Sequence, residues 1–266
     1  MSISQLINPS SLLRLAAQAL PCVIDGLTTE GRPTHGHVGD TLFADNARII
    51  FINGVGSREH HCQEKARQIS AIFDGSRVDY IFVPLTFADA QRAIKNRTEP
   101  AGSTLVLHTI QQAYHELQEN SHPMSCKSPH RYLSGGERII CIVHSGGGAT
   151  FETIKSQIPQ QVLDRIDLVS IGSAHVFDDV GFRNIRNFVA QNDPVPFVCT
   201  CLSRNIRALF HEGTNLVPVR GDENPIASHQ FSSRTYQPTL EQIRDEYAPE
   251  LTLAEKKVSG SEPQRK

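Results

Sequence analysis

The chain has 266 residues, of which 39% are apolar and 20% are charged, and it carries a formal net charge of -2. This length suits one α/β domain, and the composition is that of a globular protein rather than a disordered one. The near-neutral charge argues against binding to nucleic acid or to an anionic membrane, and no apolar run reaches the roughly 18 residues of a membrane span.

The first 46 residues predict an N-terminal helix followed by a loop-rich segment. Apolar residues recur at helical spacing in residues 11–20 and are interrupted by Arg14, which favours an amphipathic helix over a signal sequence. Short strands are expected near residues 23–24 and 41–43. We expect no stable membrane insertion and a cytoplasmic protein, with secretion into a host by a non-Sec route as the alternative.

From residue 47 onward, continuous apolar runs alternate with helical patterns. Buried strands are predicted at residues 47–52, 78–83, 138–143, 166–171, 185–190 and 216–219. Helices are predicted at residues 57–73 (with Ser57 as the cap), 87–96, 103–119, 149–157 and 239–247. The alternation predicts an α/β fold with a doubly wound, mostly parallel sheet over residues 47–248, and a flexible tail at 249–266.

One predicted strand runs straight into the segment His144–Gly148, and a helix follows at once. A strand-to-helix turn this tight lifts its central side chain above the sheet edge and needs small neighbours. Ser145 is therefore the candidate nucleophile, and the backbone N–H of Gly146 is a candidate oxyanion donor. Gly147 fills the second glycine position of a G-x-S-x-G elbow, whereas Val143 replaces the first. A phosphate-binding loop is the alternative, although its usual motifs are missing from the sequence.

An acid and a histidine follow Ser145 in the chain order that such a nucleophile requires. Asp193 comes just past the strand at 185–190, at the edge of a parallel sheet where sites form. His229 is placed on the loop after the last strand, where it would take the proton from Ser145 while Asp193 holds its tautomer. His211 is the rival base, but it precedes the last strand. A turn role for the Asp-Pro pair and a solvated loop histidine are the plain alternatives.

The segment Asn53–Gly56 follows the first buried strand, where a second oxyanion donor is expected. The backbone N–H of Gly54 or Val55 is the candidate, and a plain strand-to-helix turn is the alternative.

Two histidine pairs, in Thr34–His37 and at His60 and His61, suggest a metal site. Neither matches H-E-x-x-H, and no Cys/His group has zinc-finger spacing. Adjacent histidines on a helix also point in different directions. We therefore expect no metal and no other cofactor.

With these residues the chain resembles the α/β-hydrolase superfamily, in particular class 3 lipase-like serine hydrolases, in the elbow and in segments 170–174 and 189–196. Residues 49–197 more closely resemble an uncharacterised chlamydial family. That family has an Asn-Gly after the first strand, a His-Ser-x-Gly elbow (His144 to Gly147) and a D-x-V-P acid segment (Asp193–Pro196). The resemblance implies an α/β-hydrolase fold and hydrolase chemistry, but it implies no substrate.

The sequence thus predicts a serine hydrolase that cleaves an ester, thioester or amide of a small acyl substrate through Ser145, His229 and Asp193. The alternatives are a non-catalytic interaction protein on the same scaffold, such as a secreted effector with a protein partner, and an acyltransferase. The connection at residues 172–184 is too short for a helical cover, so we expect little or no lid and an accessible Ser145.

Overall fold

The computed structural model describes residues 31–43, 46–121, 137–178, 180–196, 214–222 and 224–247. Four features of the sequence analysis lie outside the described residues: the N-terminal helix, the strand near residues 23–24, the rival base His211 and the C-terminal tail.

One sheet runs through the molecule and is flanked by helices. Its strands are β1 Thr34–Val38, β2 Ala47–Ile52, β3 Val78–Phe82, β4 Arg138–His144, β5 Ile166–Ile171, β6 Asn184–Ala190 and β7 Leu216–Val219. The flanking helices are α1 Glu59–Ile72, α2 Phe87–Asn96, α3 Ser103–Ser121, α4 Gly146–Lys155, α5 Gln160–Leu163, α6 Pro225–His229 and α7 at residues 237–247.

The sheet has the strand order β1-β3-β2-β4-β5-β6-β7, and only the edge pair β1–β3 is antiparallel. The α/β class and the doubly wound, mostly parallel sheet are therefore confirmed, with strand boundaries within one residue of those predicted. Parallel strands are covered by helices on both faces, so they need apolar residues at consecutive positions. The runs in β2, β3, β4 and β5 are buried at every residue for this reason.

Alternate residues of each strand feed two separate cores. On one face, Ile50, Ile52, Cys141 and Val143 pack with apolar residues of α3, α4 and α5. On the opposite face, the intervening residues of the same strands pack with α1, Phe231, Tyr236 and α7. Each fully buried aliphatic side chain contributes about 1.5–3 kcal/mol, so these two layers fix the strand register.

Edge strand β1 lies in the segment that the sequence predicted to be loop-rich. Its residues alternate between half-buried and exposed and include two histidines, which is a weak strand pattern. Gly36 explains the close pairing with β3, because a Cβ at this position would lie 2.6 Å from the Tyr80 hydroxyl. The strand expected near residues 41–43 is reduced to an isolated bridge between Thr41 and Ser76.

Three helix starts differ from those predicted, and one of them is α7, which begins at residue 237 rather than 239. Helix α4 begins at Gly146 rather than at Ala149. The later start was predicted because glycine has poor helix propensity. In the structure these glycines allow close packing where a larger residue would not fit. Helix α1 begins at Glu59 with Arg58 as its N-cap and no capping side chain, rather than being capped by Ser57.

The order of the strands creates a crevice at one edge of the sheet. Strands β2 and β4 are neighbours, yet the chain leaves β2 towards α1 on one face and leaves β4 towards α4 on the other. Ligands of open α/β sheets bind where neighbouring strands send their connections to opposite faces. The segments after β2 and β4, which begin at Asn53 and Ser145, meet at this point.

Candidate active site

The turn between β4 and α4 holds Ser145 in an unusual backbone conformation. Its φ and ψ are 53° and -125°, a region that residues other than glycine rarely adopt. Backbone hydrogen bonds hold it there: its N–H donates to Ile171, and its carbonyl accepts from Gly148 and from Ala174, the latter at 2.9 Å. This geometry is that of a nucleophile elbow.

The glycines after Ser145 are explained by close approach to the loop that follows β2. A Cβ at Gly146 would lie 2.5 Å from the Val55 side chain, and one at Gly147 would lie 2.5 Å from the Asn53 carbonyl oxygen. Val143, which replaces the first glycine of the elbow pattern, is fully buried in the core beneath the turn. The elbow therefore forms without glycine at that position.

The three side chains singled out by their order in the sequence are in contact. His229 Nε2 lies 2.9 Å from Ser145 Oγ, and His229 Nδ1 lies 2.9 Å from each Asp193 carboxylate oxygen. A carboxylate only accepts, so Nδ1 carries the ring proton and Nε2 is left to accept from the Ser145 hydroxyl. His229 is the last residue of the short helix α6 rather than a loop residue, and Asp193 follows β6 as predicted.

Asp193 is fully buried, and two further donors hold its carboxylate. The backbone N–H of Val195 donates to Oδ1 at 3.0 Å, and the Tyr236 hydroxyl donates to Oδ2 at 2.8 Å. Tyr236 was not among the predicted site residues. It lies before α7, where a tyrosine in a turn gives no sequence signal for a contact with an acid 43 positions away.

His144, the residue before the nucleophile, contacts the catalytic base candidate rather than the solvent. Its Nε2–H donates to the His229 carbonyl oxygen at 3.0 Å, and its ring stacks on the His229 ring with centroids 5.1 Å apart. Burial holds the pKa of His144 well below its ordinary value, so the ring is neutral. Among the described residues, Nδ1 of this ring has no hydrogen-bond partner.

Two backbone N–H groups border the serine on the side of the β2 loop. Gly146 is the first residue of α4, so its N–H has no acceptor within the helix. The Val55 nitrogen lies 3.2 Å from the position of a Cβ on Gly146. The buried Asn53 side chain holds this loop: its amide donates to the carbonyls of Gly54 and Val83 and accepts from the Val83 N–H. The Val55 nitrogen is therefore close to Gly146, and Gly54 leaves space beside Ser145.

The structure corrects the expectation of an open serine, because only 5% of Ser145 is exposed. The loop after β2 lies directly against it, since a Cβ on Gly54 would lie 2.5 Å from Ser145 Cβ. The connection between β5 and β6 contains no helix in its described residues, 172–178 and 180–183. That part of the expectation, little or no lid at this connection, agrees with the structure.

In the ranges that the structure describes, no three His, Cys, Asp or Glu side chains converge closely enough to hold a metal ion. Within the same ranges, no helix has both the length and the apolar content needed to cross a membrane.

The sheet topology and the serine elbow define an α/β-hydrolase-like architecture. No protein-family model and no curated protein matches the sequence, and the resemblance to a chlamydial family is not shown. The solved structures that are distantly similar include the following two. An alpha-beta serine hydrolase homologue from Coxiella burnetii has a TM-score of 0.41 and 10% identity, over 84% of this chain and 95% of that chain. Dienelactone hydrolase from Anabaena variabilis has a TM-score of 0.40 and 14% identity, over 83% and 93%. Neither likeness assigns an activity to this chain.

Two histidines whose pKa values are lowered make the fold sensitive to acid. In the unfolded chain His144 is protonated below about pH 6.5, whereas in the folded chain it stays neutral. Its contribution to the free energy of unfolding is therefore present above that pH and is lost as the pH falls below it. His175, whose pKa burial lowers to about 4, acts in the same direction between pH 6.5 and 4. We expect the free energy of unfolding to fall by about 1.4 kcal/mol per pH unit for each group.

The measurement is urea unfolding between pH 7.5 and 5. His144→Phe should have a shallower slope than the wild type, whereas the same change at the exposed His60 should leave the slope unchanged. Equal slopes in wild type and His144→Phe would show that His144 is protonated in the folded chain.

Gly54 is the glycine whose replacement should damage the site most directly. A Cβ there would lie 2.5 Å from Ser145 Cβ and 3.1 Å from both Ser145 Oγ and His144 Nδ1. We expect Gly54→Ala to slow labelling of Ser145 by a fluorophosphonate at least tenfold, because the methyl group displaces the hydroxyl from His229.

The matched control is Gly36→Ala, which forces a methyl group against Tyr80 at the distant edge strand. It should lower the melting temperature but leave the labelling rate unchanged at a temperature where both variants are folded. Wild-type labelling of Gly54→Ala would mean that the loop after β2 does not confine the serine.

Proposed function

We propose that this protein is a serine hydrolase that cleaves an ester, thioester or amide through an acyl-enzyme on Ser145. The observation that carries the proposal is the His229 ring, which bridges Ser145 Oγ and the buried Asp193 carboxylate at 2.9 Å on either side. Nucleophile and base within hydrogen-bond reach, with the base oriented by a third group, is the arrangement that activates a serine.

The proposed reaction has two steps. His229 Nε2 takes the hydroxyl proton as Ser145 Oγ attacks the carbonyl carbon, and the N–H groups of Gly146 and Val55 stabilise the resulting oxyanion. As the tetrahedral intermediate collapses, the same proton passes from Nε2 to the leaving group. Water then repeats the attack on the acyl-enzyme with His229 as the base, releasing the acid and free Ser145. Asp193 keeps Nδ1–H in place and stabilises the imidazolium in both steps.

The wall beside the serine supports a small, uncharged acyl group. Ala149 and Ala174 are buried next to the elbow, and Val55, Ile94 and Val195 pack against them while remaining partly exposed. The cluster is apolar, and Val55 closely approaches Gly146. We therefore place the acyl group of the substrate against Val55, Ile94 and Val195, in a cytoplasmic protein that needs no cofactor.

The deciding experiment is labelling of the purified protein with a fluorophosphonate probe. The wild type should form a covalent adduct at Ser145, identified by peptide mass, and Ser145→Ala should form none. The competing hypothesis, a non-catalytic interaction protein, is favoured by the 5% exposure of Ser145. Equal labelling of wild type and Ser145→Ala, or of neither, would favour that hypothesis over a hydrolase.

The acyl subsite leads to a prediction about chain length. We expect p-nitrophenyl acetate and butyrate to be hydrolysed with a kcat/KM at least tenfold above that of the dodecanoate, because the wall consists of three partly exposed side chains and no lid is found at the described β5–β6 connection. The assay runs each ester below and above its solubility limit. A sharp rise in rate once an interface forms would point to a lipase instead.

A further inference from the structure

Tyr236 contacts the Asp193 carboxylate, and its hydroxyl has two hydrogen-bond partners. It donates to Asp193 Oδ2 at 2.8 Å and accepts from the backbone N–H of Ala190 at 3.2 Å. Because the Ala190 N–H occupies the oxygen as an acceptor, the phenol proton is directed at the carboxylate. The side chain is fully buried. Burial and the nearby carboxylate raise the pKa of Tyr236 well above its ordinary value, so the hydroxyl remains a donor at any working pH.

The end of β5 is shaped around this contact. Gly172 follows the strand with a φ of +50°, a conformation that favours glycine. A Cβ on Gly172 would lie 2.6 Å from Asp193 Oδ2 and 2.9 Å from the Tyr236 hydroxyl oxygen. The space for the hydrogen bond therefore depends on a glycine from a third segment of the chain.

We propose that Tyr236 is a positioning residue that holds the Asp193 carboxylate and sets the proton affinity of His229. The inference rests on the proposed function, since this affinity matters only if His229 takes a proton during the reaction. With Val195 N–H on Oδ1 and Tyr236 on Oδ2, each carboxylate oxygen has a fixed donor besides His229. The carboxylate is thereby prevented from rotating away from Nδ1.

The Tyr236 hydroxyl also affects the negative charge on Asp193 that faces the imidazole of His229. Each donor to a carboxylate stabilises its anionic form and weakens its pull on a further proton. Removal of the Tyr236 donor leaves the negative charge of Asp193 less shared with a hydrogen bond, and this charge then attracts a proton on the His229 ring more strongly. Other titratable groups near the pair come from separate elements. They are His144 of β4, stacked on His229; Ser145; Lys65 of α1, which acts electrostatically on His144; and the exposed Asp222, whose backbone carbonyl accepts from Ser228.

The test is an NMR titration of the His229 ring in 15N-histidine-labelled wild type and Tyr236→Phe, with the signal identified by its loss in His229→Gln. We expect the titration midpoint to rise by about one pH unit in Tyr236→Phe, because a hydrogen bond to a buried charge is removed. In ester hydrolysis the acid limb of the kcat profile should move in the same direction. On that acid limb we expect kcat to fall about tenfold at a fixed pH, with KM unchanged.

Tyr247 provides a matched control on α7. Its hydroxyl donates to Oδ2 of a different buried acid, Asp167 of β5, at 3.0 Å. Tyr247→Phe removes the same group from a similar contact and should lower the melting temperature without moving the His229 midpoint. A packing role alone predicts the same result for Tyr236→Phe, so an unmoved midpoint in both variants would overturn the proposal.

A second measurement is available if Tyr236→Phe does not fold. Wild-type protein grown with 3-fluorotyrosine at its five tyrosines carries a more acidic phenol, which is a stronger donor. The His229 midpoint should then move down, and no movement would count against the proposal. The titration does not require turnover. Absent ester hydrolysis with a shifted midpoint would refute only the proposed function, whereas hydrolysis with a fixed midpoint would refute only the role of Tyr236.

Discussion

Ser145→Ala and His229→Ala should each lower kcat/KM for p-nitrophenyl acetate by about 10⁴-fold or more, and the double variant should be no worse than either. The reason is geometric. In the proposed mechanism the Ser145 hydroxyl is activated through its 2.9 Å contact with His229 Nε2, so removal of either partner abolishes the same proton transfer. The activity that remains comes from the N–H groups facing the oxyanion and from substrate binding.

The control for this series is Ser228→Ala. Ser228 is buried beside His229 in α6, and its hydroxyl donates to the Asp222 carbonyl rather than to the base. Its removal should lower the melting temperature by a few degrees and leave kcat/KM within a factor of about three. Additive losses in the double variant would mean that Ser145 and His229 act independently and that the proposed mechanism is wrong.

Asp193→Asn should lower kcat by about 10³- to 10⁴-fold while the protein remains folded. Both carboxylate oxygens of Asp193 accept hydrogen bonds, one from Val195 and one from Tyr236, and the His229 ring faces both. An asparagine has one amide nitrogen, which donates. If that nitrogen faces Nδ1, the ring proton moves to Nε2. Nε2 then donates towards the Ser145 hydroxyl, from which it should accept a proton.

Asp167→Asn is the comparison variant, since Asp167 is also buried and also accepts from a tyrosine. We expect it to reduce the melting temperature and to leave kcat unchanged. The two variants are compared by single-turnover kinetics after both are checked for cooperative unfolding. A loss of kcat of similar size in Asp167→Asn would show that general loosening of the fold, rather than the tautomer of His229, explains the result for Asp193.

The sheet could be predicted from the sequence because a parallel strand buried on both faces requires consecutive apolar residues. Ile139–Val143 is such a run, and it is buried at every residue in β4. The grouping of Ser145, Asp193 and His229 could also be predicted, because each follows a strand and the carboxyl ends of these strands lie at the same edge of the sheet. Strand β1 could not be predicted, because it has no run of apolar residues and pairs with β3 where Gly36 fits against Tyr80.

The remaining site features depend on contacts between distant segments. Tyr236 and Asn53 act through hydrogen bonds to Asp193 and Val83, and no periodic pattern encodes such pairs. The loop after β2 approaches Ser145 closely at Gly54, where a Cβ would lie 2.5 Å from Ser145 Cβ. The exposure of a side chain is set by what packs over it, and a local motif contains no information on that.

The backbone at Ser145 has a consequence for how this chain balances activity against folding. A residue with a side chain at φ 53° and ψ -125° costs roughly 1–3 kcal/mol relative to glycine, out of a typical total stability of about 5–15 kcal/mol. Glycine at position 145 would relieve this strain. The glycines that follow it already fit the turn. A chain that served only as a scaffold would be more stable with glycine there. The hydroxyl is thus kept at a position where stability alone disfavours it.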